Sequence, residues 1–117
     1  MEYKPGLHLL ATLYTQRTDL LQESSFWNTF IQAQITSHQL TAVGHCVHDF
    51  PGGGFTGVHC LTESHISIHT WPEFNLCTCD VFLSNFSKNN DAITTAIMEQ
   101  IQQFFEATPE ASHCIRR

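Results

Sequence analysis

Apolar residues run almost unbroken from Leu7 to Tyr14 behind Gly6, and this segment reads as a β-strand. From Asp19 to about Gln39 the period changes. Trp27, Phe30, Ile31 and Gln34 fall at helical spacing, Leu20 and Ala33 extend the apolar side, and Thr18 or Asp19 is placed to cap the first turn. Thr41 to Phe50 is again β-like. Pro51-Gly52-Gly53-Gly54 then breaks the pattern. Three further strands follow: Phe55 to Thr62, Ser64 to Trp71, and Leu76 to Leu83. Asn90 or Asp91 starts a second helix that runs to about Glu106, with Ile93, Ile97, Ile101, Phe104 and Phe105 as its stripe. Thr108-Pro109 stops it, and the tail to Arg117 reads as loose. The order β-α-β-β-β-β-α predicts an α+β fold: a two-layer α/β sandwich with a largely antiparallel sheet and two helices on one face. The other sheet face then needs a cover, for which a second subunit is expected.

Composition narrows the class. A chain of 117 residues makes one domain, 1–117. With 14% charged and 42% hydrophobic residues it is no disordered segment. No apolar run reaches the roughly 18–20 residues of a membrane helix. Five Lys and Arg against eleven Asp and Glu offer no basic face to a phosphate backbone, so nucleic acid is excluded as a partner. The start lacks the basic and apolar stretches of a signal peptide. Five cysteines form no disulfide framework, so reduced thiols and a cytoplasmic location are expected.

No metal site is expected either. His65 and His69 would chelate from a helix, but Ile66, Ile68 and Thr70 favour a strand, where the two stand roughly 13 Å apart. Cys77-Thr78-Cys79 has no second close pair, and its thiols read as small core hydrophobes. His45 and His48 point to opposite faces of their strand. No G-x-S-x-G elbow marks a hydrolase.

The informative stretch is Glu63-Ser64-His65-Ile66-Ser67-Ile68-His69-Thr70-Trp71-Pro72-Glu73. It resembles the signature of the prokaryotic S-adenosylmethionine decarboxylase proenzymes. Gly6-Leu7-His8-Leu9-Leu10, Phe50, Thr56-Gly57 and Asp80-Val81-Phe82 extend the resemblance over roughly residues 6–84. The resemblance implies self-cleavage between Glu63 and Ser64 into fragments 1–63 and 64–117. The Ser64 hydroxyl would attack the Glu63 carbonyl, and Ser64 would become a pyruvoyl group, the only cofactor implied. Its ketone condenses with a substrate α-amine and accepts the electrons left when carbon dioxide departs. His69 corresponds to the processing histidine and Thr56 to its supporting hydroxyl. Phe50 would stack on adenine, and Glu73 would bind the ribose hydroxyls. Short members act as homodimers with sites built across the interface. Ser64 and His69 are five positions apart, on opposite faces of a regular strand, so the bend is expected to include Ser64.

One position departs from the pattern. The catalytic cysteine of the family, a proton donor, falls at Ser84 here, and a hydroxyl is a far poorer acid than a thiol. Three readings follow. The first is S-adenosylmethionine decarboxylation for spermidine synthesis. The second is a pyruvoyl decarboxylase of ornithine or arginine, with Asp49, Glu73 and Asp80 facing the cationic side chain. The third is a weak or inactive homologue that regulates a partner.

Overall fold

A computed structural model describes residues 2–117. Its elements are β1 (Leu7–Tyr14), α1 (Thr18–Gln22), α2 (Ser25–Ser37), β2 (Ala42–Asp49), β3 (Phe55–Leu61), β4 (Ser64–Trp71), β5 (Leu76–Leu83), α3 (Asp91–Phe104) and β6 (Thr108–Arg116), with a short 3-10 turn at Pro72–Phe74. The six strands form one sheet in the order β2-β3-β4-β5-β1-β6, and every neighbouring pair is antiparallel.

Strand alternation builds the core. Phe55 and Leu61 of β3, Ile66 and Ile68 of β4, Val81 and Leu83 of β5 and Leu13 of β1 are buried with Trp27, Ile31 and Ile35 of α2 and with Ile97, Ile101 and Phe105 at α3. Each such side chain is worth about 1.5–3 kcal/mol when fully buried. The two-layer α/β sandwich expected from the sequence is thus present. Cys77 and Cys79 pack into the same layer, their sulfurs 3.9 Å apart. The contact with Cys77 and burial both push the Cys79 thiol well above its ordinary pKa, so it stays protonated.

Two expectations need correction. The helix placed at 19–39 is two helices, because Glu23 is extended (φ −149°, ψ 161°). Asp49 draws the chain out at this point. Its carboxylate accepts the Ser24 backbone N–H at 2.8 Å and the Ser24 hydroxyl at 2.9 Å, at the start of α2. The tail read as loose is β6, paired along β1. Its side chains are exposed along its whole length, so it has no alternation to read. Backbone ladders hold it, with Arg117 N–H donating to Gly6 O at 3.1 Å, Gly6 N–H donating to Arg117 O at 2.8 Å, and an Arg116–Asp91 ion pair at 2.7 Å. Pro109 sits at the register shift opposite Leu13, where an edge strand tolerates it.

The sheet's other face carries no helix. His65, Ser67, His69 and Trp71 of β4 alternate onto it, away from the buried Ile66, Ile68 and Thr70. Tyr14, Val58, Trp71 and Ile115 are exposed large hydrophobic residues of the strands. Among the described residues no helix is long and apolar enough to cross a membrane.

Candidate active site

The Glu63–Ser64 bond lies in a hairpin with almost no loop. Leu61 of β3 pairs directly with Ser64 of β4, which leaves only Thr62 and Glu63 to turn the chain. Such two-residue loops need positive φ angles that glycine supplies most easily. None is available here, and Ser64 itself takes φ +141°. A residue with a Cβ held in that region stores about 1–3 kcal/mol. The turn itself is Thr62-Glu63, and Ser64, expected within the bend, instead opens β4 with this strained φ.

The carbonyl beside it is engaged. Glu63 O accepts the Ser84 backbone N–H at 2.6 Å. A short donor on this oxygen withdraws charge from the carbonyl carbon and is aimed where an oxyanion would develop. Ser84 is in turn held firmly. Its own carbonyl accepts from Asn90 Nδ2 at 2.8 Å, and Asn85 Oδ1 accepts the Asn90 backbone N–H at 2.7 Å. Asn85 Nδ2 donates to Pro5 O at 3.1 Å and to Asp91 Oδ1 at 3.0 Å. The end of β5, the start of α3 and the segment before β1 thus clamp the residue that touches the Glu63 carbonyl. Sequence comparison marks Ser84 only for its side chain. Its backbone role depends on the β4–β5 register, which places Ser64 opposite Leu83.

The other candidate residues gather elsewhere. Thr56 and His69 are cross-strand partners, with Thr56 Oγ1 2.6 Å from His69 Nδ1. The loop after β2 closes tightly: Phe50 N–H donates to Gly54 O at 2.9 Å, and Gly53 N–H to Phe50 O at 3.0 Å. Gly54 has φ +97°, and a Cβ there would stand 3.1 Å from Pro72 Cδ. Only glycine lets this loop seat against the Pro72–Phe74 turn that carries Glu73. Phe50 is 47% exposed, so it is no core residue, and its ring meets His48 edge-on with centroids 4.8 Å apart; Trp71 and Phe74 are exposed as well. Glu73 is exposed on the same turn. An exposed aromatic face suits a flat heterocycle, and an exposed carboxylate accepts from a diol or pairs with a cation.

The bend does not bring Ser64 to His69 within one chain. The two stand five positions apart on the unbroken β4, about 16 Å at the usual strand rise. The chain therefore presents two half-sites. Glu63, Ser64 and Ser84 are at one end of β4, and Phe50, Thr56, His69 and Glu73 are at the other. The carboxylates expected to face a basic substrate are dispersed. Asp49 is tied to Ser24, and Asp80 accepts from Ser67 Oγ at 3.2 Å.

An open-faced sandwich with a strained serine behind a polarised carbonyl, together with the signature around it, belongs to the class of pyruvoyl-dependent carboxy-lyases. More narrowly, the chain belongs to the S-adenosylmethionine decarboxylase family, whose model matches residues 7–117. It is similar to the S-adenosylmethionine decarboxylase proenzyme of Archaeoglobus fulgidus, 35% identical over 77 residues that cover 66% of this chain and 69% of that one. The proenzyme of a Hydrogenobaculum species is 40% identical over 77 residues, covering 66% of this chain and 58% of that one. The crystal structure of the adenosylmethionine decarboxylase from Aquifex aeolicus superposes with a TM-score of 0.80 at 28% identity, covering 99% of this chain and 91% of that one. Nothing in these comparisons supports an ornithine or arginine decarboxylase or a regulatory homologue.

Proposed function

We propose that this chain is a precursor that cuts itself between Glu63 and Ser64 and then, as a homodimer, decarboxylates S-adenosylmethionine. The observation that carries this reading is the geometry of the scissile bond. Ser64 is strained at φ +141°, and the carbonyl before it accepts a 2.6 Å hydrogen bond from a clamped N–H. In the first step Ser64 Oγ attacks the Glu63 carbonyl carbon while the Ser84 N–H takes up the developing charge. The C–N bond breaks, the serine nitrogen gains a proton, and an ester joins Glu63 to the Ser64 oxygen. Loss of the Ser64 α-proton to a base then expels the Glu63 carboxylate. Hydrolysis of the remaining enamine releases ammonia and leaves a pyruvoyl group in place of Ser64. When present, that group supplies an electron sink for the bond to the departing carboxylate.

The base comes from a second copy in this reading. His69, held by Thr56, is about 16 Å from Ser64 along its own strand, so the partner subunit's His69 serves Ser64 when two helix-free sheet faces meet. The same closure sets Phe50 and Glu73 of one copy beside Ser64 of the other. There they take the adenine face and the ribose hydroxyls. Ser84 stands at the proton-donor position with a hydroxyl only, so Ser84→Cys raises turnover.

Intact-mass measurement tests the cleavage, with fragments 1–63 and 64–117 expected and a single full-length species overturning it. A mixing experiment tests the two-copy arrangement. His69→Ala and Ser64→Ala each stay uncut alone, and mixing them restores cleavage of the His69→Ala chain. No rescue in a mixture shown to form mixed dimers would place the base in the same chain.

A further inference from the structure

Three hydrogen-bonded neighbours, β4, β5 and β1, each bring one metal-ligating side chain to a common spot on the helix-free face. Both His65 and His8 pair across to Phe82 in the sheet register, and Asp80 stands two positions before Phe82 on the same face. The ligand-bearing atoms of His8, His65 and Asp80 all lie within 4.8 Å of one another. His8 is only 6% exposed, and neither of its ring nitrogens has a hydrogen-bond partner. Leaving such groups unpaired costs about 1–3 kcal/mol each, so an imidazole in this position calls for an occupant.

We propose that His8, His65 and Asp80 bind one divalent transition-metal ion, with Zn2+ as the fitting member of the class. Two imidazoles and one carboxylate make a three-protein-ligand set that leaves a fourth position open, here toward the helix-free side of the sheet, the side that the proposed dimer covers. Bonds of about 2.0–2.1 Å bring ligand atoms to roughly 3.3 Å apart, so the ligand atoms close in by about 1.5 Å at most. Ser67, itself 7% exposed, donates to Asp80 Oδ2 at 3.2 Å and fixes the carboxylate, as groups behind metal ligands do. Burial lowers the His8 pKa; Asp80 pulls it up, and His65 and Arg117 push it down. Arg117 has its guanidinium 5.5 Å from the Phe82 ring centre and sets the one opposing charge nearby. No pair of histidines on a single strand forms this site, which arises from three strands. It needs neither cleavage nor decarboxylation.

The test uses the full chain stripped with a chelator, titrated with Zn2+ and with Co2+, with metal content read by mass spectrometry. One Zn2+ per chain is expected, with Co2+ giving visible absorption that Zn2+ displaces. His8→Gln, His65→Gln and Asp80→Asn each weaken binding by tenfold or more, whereas His38→Ala and His113→Ala leave it unchanged. Arg117→Ala tightens it several-fold. Far-UV circular dichroism of the metal-free variants shows which are folded. Should His8→Gln fail to fold, the half-buried His65 and Asp80 variants decide the matter. Absence of stoichiometric binding, or equal affinity in the folded ligand variants, overturns the site.

Discussion

The two ends of β4 do opposite things with the same backbone. At Ser64 the chain is forced through a turn that its side chains do not suit, and a peptide carbonyl is pinned by a neighbouring N–H. At His69 the strand is regular, and the chemistry lies in side chains: an imidazole bonded to a threonine, with exposed aromatic residues and a carboxylate beyond it. In the proposed reading, one end holds the bond to be cut and the other the base. A single copy keeps them apart. In the proposed dimer, a small domain with one open sheet face spreads a site over its length and completes it by association.

The largest effect expected is at the strained end. Ser64→Ala leaves the chain intact and abolishes carbon dioxide release, measured by intact mass and by a release assay. Any activity in the uncut variant breaks the comparison, because the hydroxyl would then have no part in it. Next comes the backbone donor. Ser84→Pro removes the N–H on Glu63 O and slows cleavage about 10²–10³-fold, whereas Ser84→Ala keeps it. Equal cleavage rates for the two variants would remove Ser84 from the processing step.

The sheet's buried side provides a control independent of both ends. His59 is 2% exposed, and its Nε2 accepts the Trp27 indole N–H at 3.1 Å. Burial, and then the nearby His45, lower its pKa from 6.5 to about 4. The unfolded chain therefore takes up a proton at pH values where the folded chain still refuses it. The contribution is neutral above pH 6.5 and turns against folding as pH falls toward about 4. The loss is about 1.4 kcal/mol per unit, some 3 kcal/mol in all. His59→Gln, which keeps an acceptor for Trp27, flattens this slope in pH-dependent melts, and an unchanged slope assigns it elsewhere.

The smallest effects belong to the two residues proposed to hold substrate, Phe50 and Glu73. Phe50→Ala and Glu73→Gln each raise KM about tenfold, near 1.4 kcal/mol, and leave the cleavage rate unchanged. Altered cleavage with an unaltered KM would reverse the roles of the two ends.

Much of this arrangement was readable along the chain because it is local. The alternation of Ile66 and Ile68 with His65, Ser67 and His69 is a two-residue period, and the glycines after Phe50 mark their own turn. The five-residue spacing put Ser64 and His69 on opposite faces of a regular strand, and a bend at Ser64 was expected to let them meet; the continuous β4 keeps them apart instead. What escaped was long-range or side-chain-independent. β6 has no buried face, so only its ladder with β1 reveals it. The break at Glu23 depends on Asp49, twenty-five residues beyond Ser24. The donor on the Glu63 carbonyl is a main-chain group, to which residue type is blind. His8, His65 and Asp80 meet only once β1 has been inserted beside β5.

That insertion bears on what a cut at Glu63 does. The first piece would own β1, β2 and β3, and the second β4, β5 and β6, yet β1 lies between β5 and β6. Three ladders, β3 to β4, β5 to β1 and β1 to β6, would then run between separate molecules. The pieces are interwoven like fingers of two hands. Severing the thread there would free a chain end without freeing either piece, so the shape would outlast the proposed change in the covalent chain.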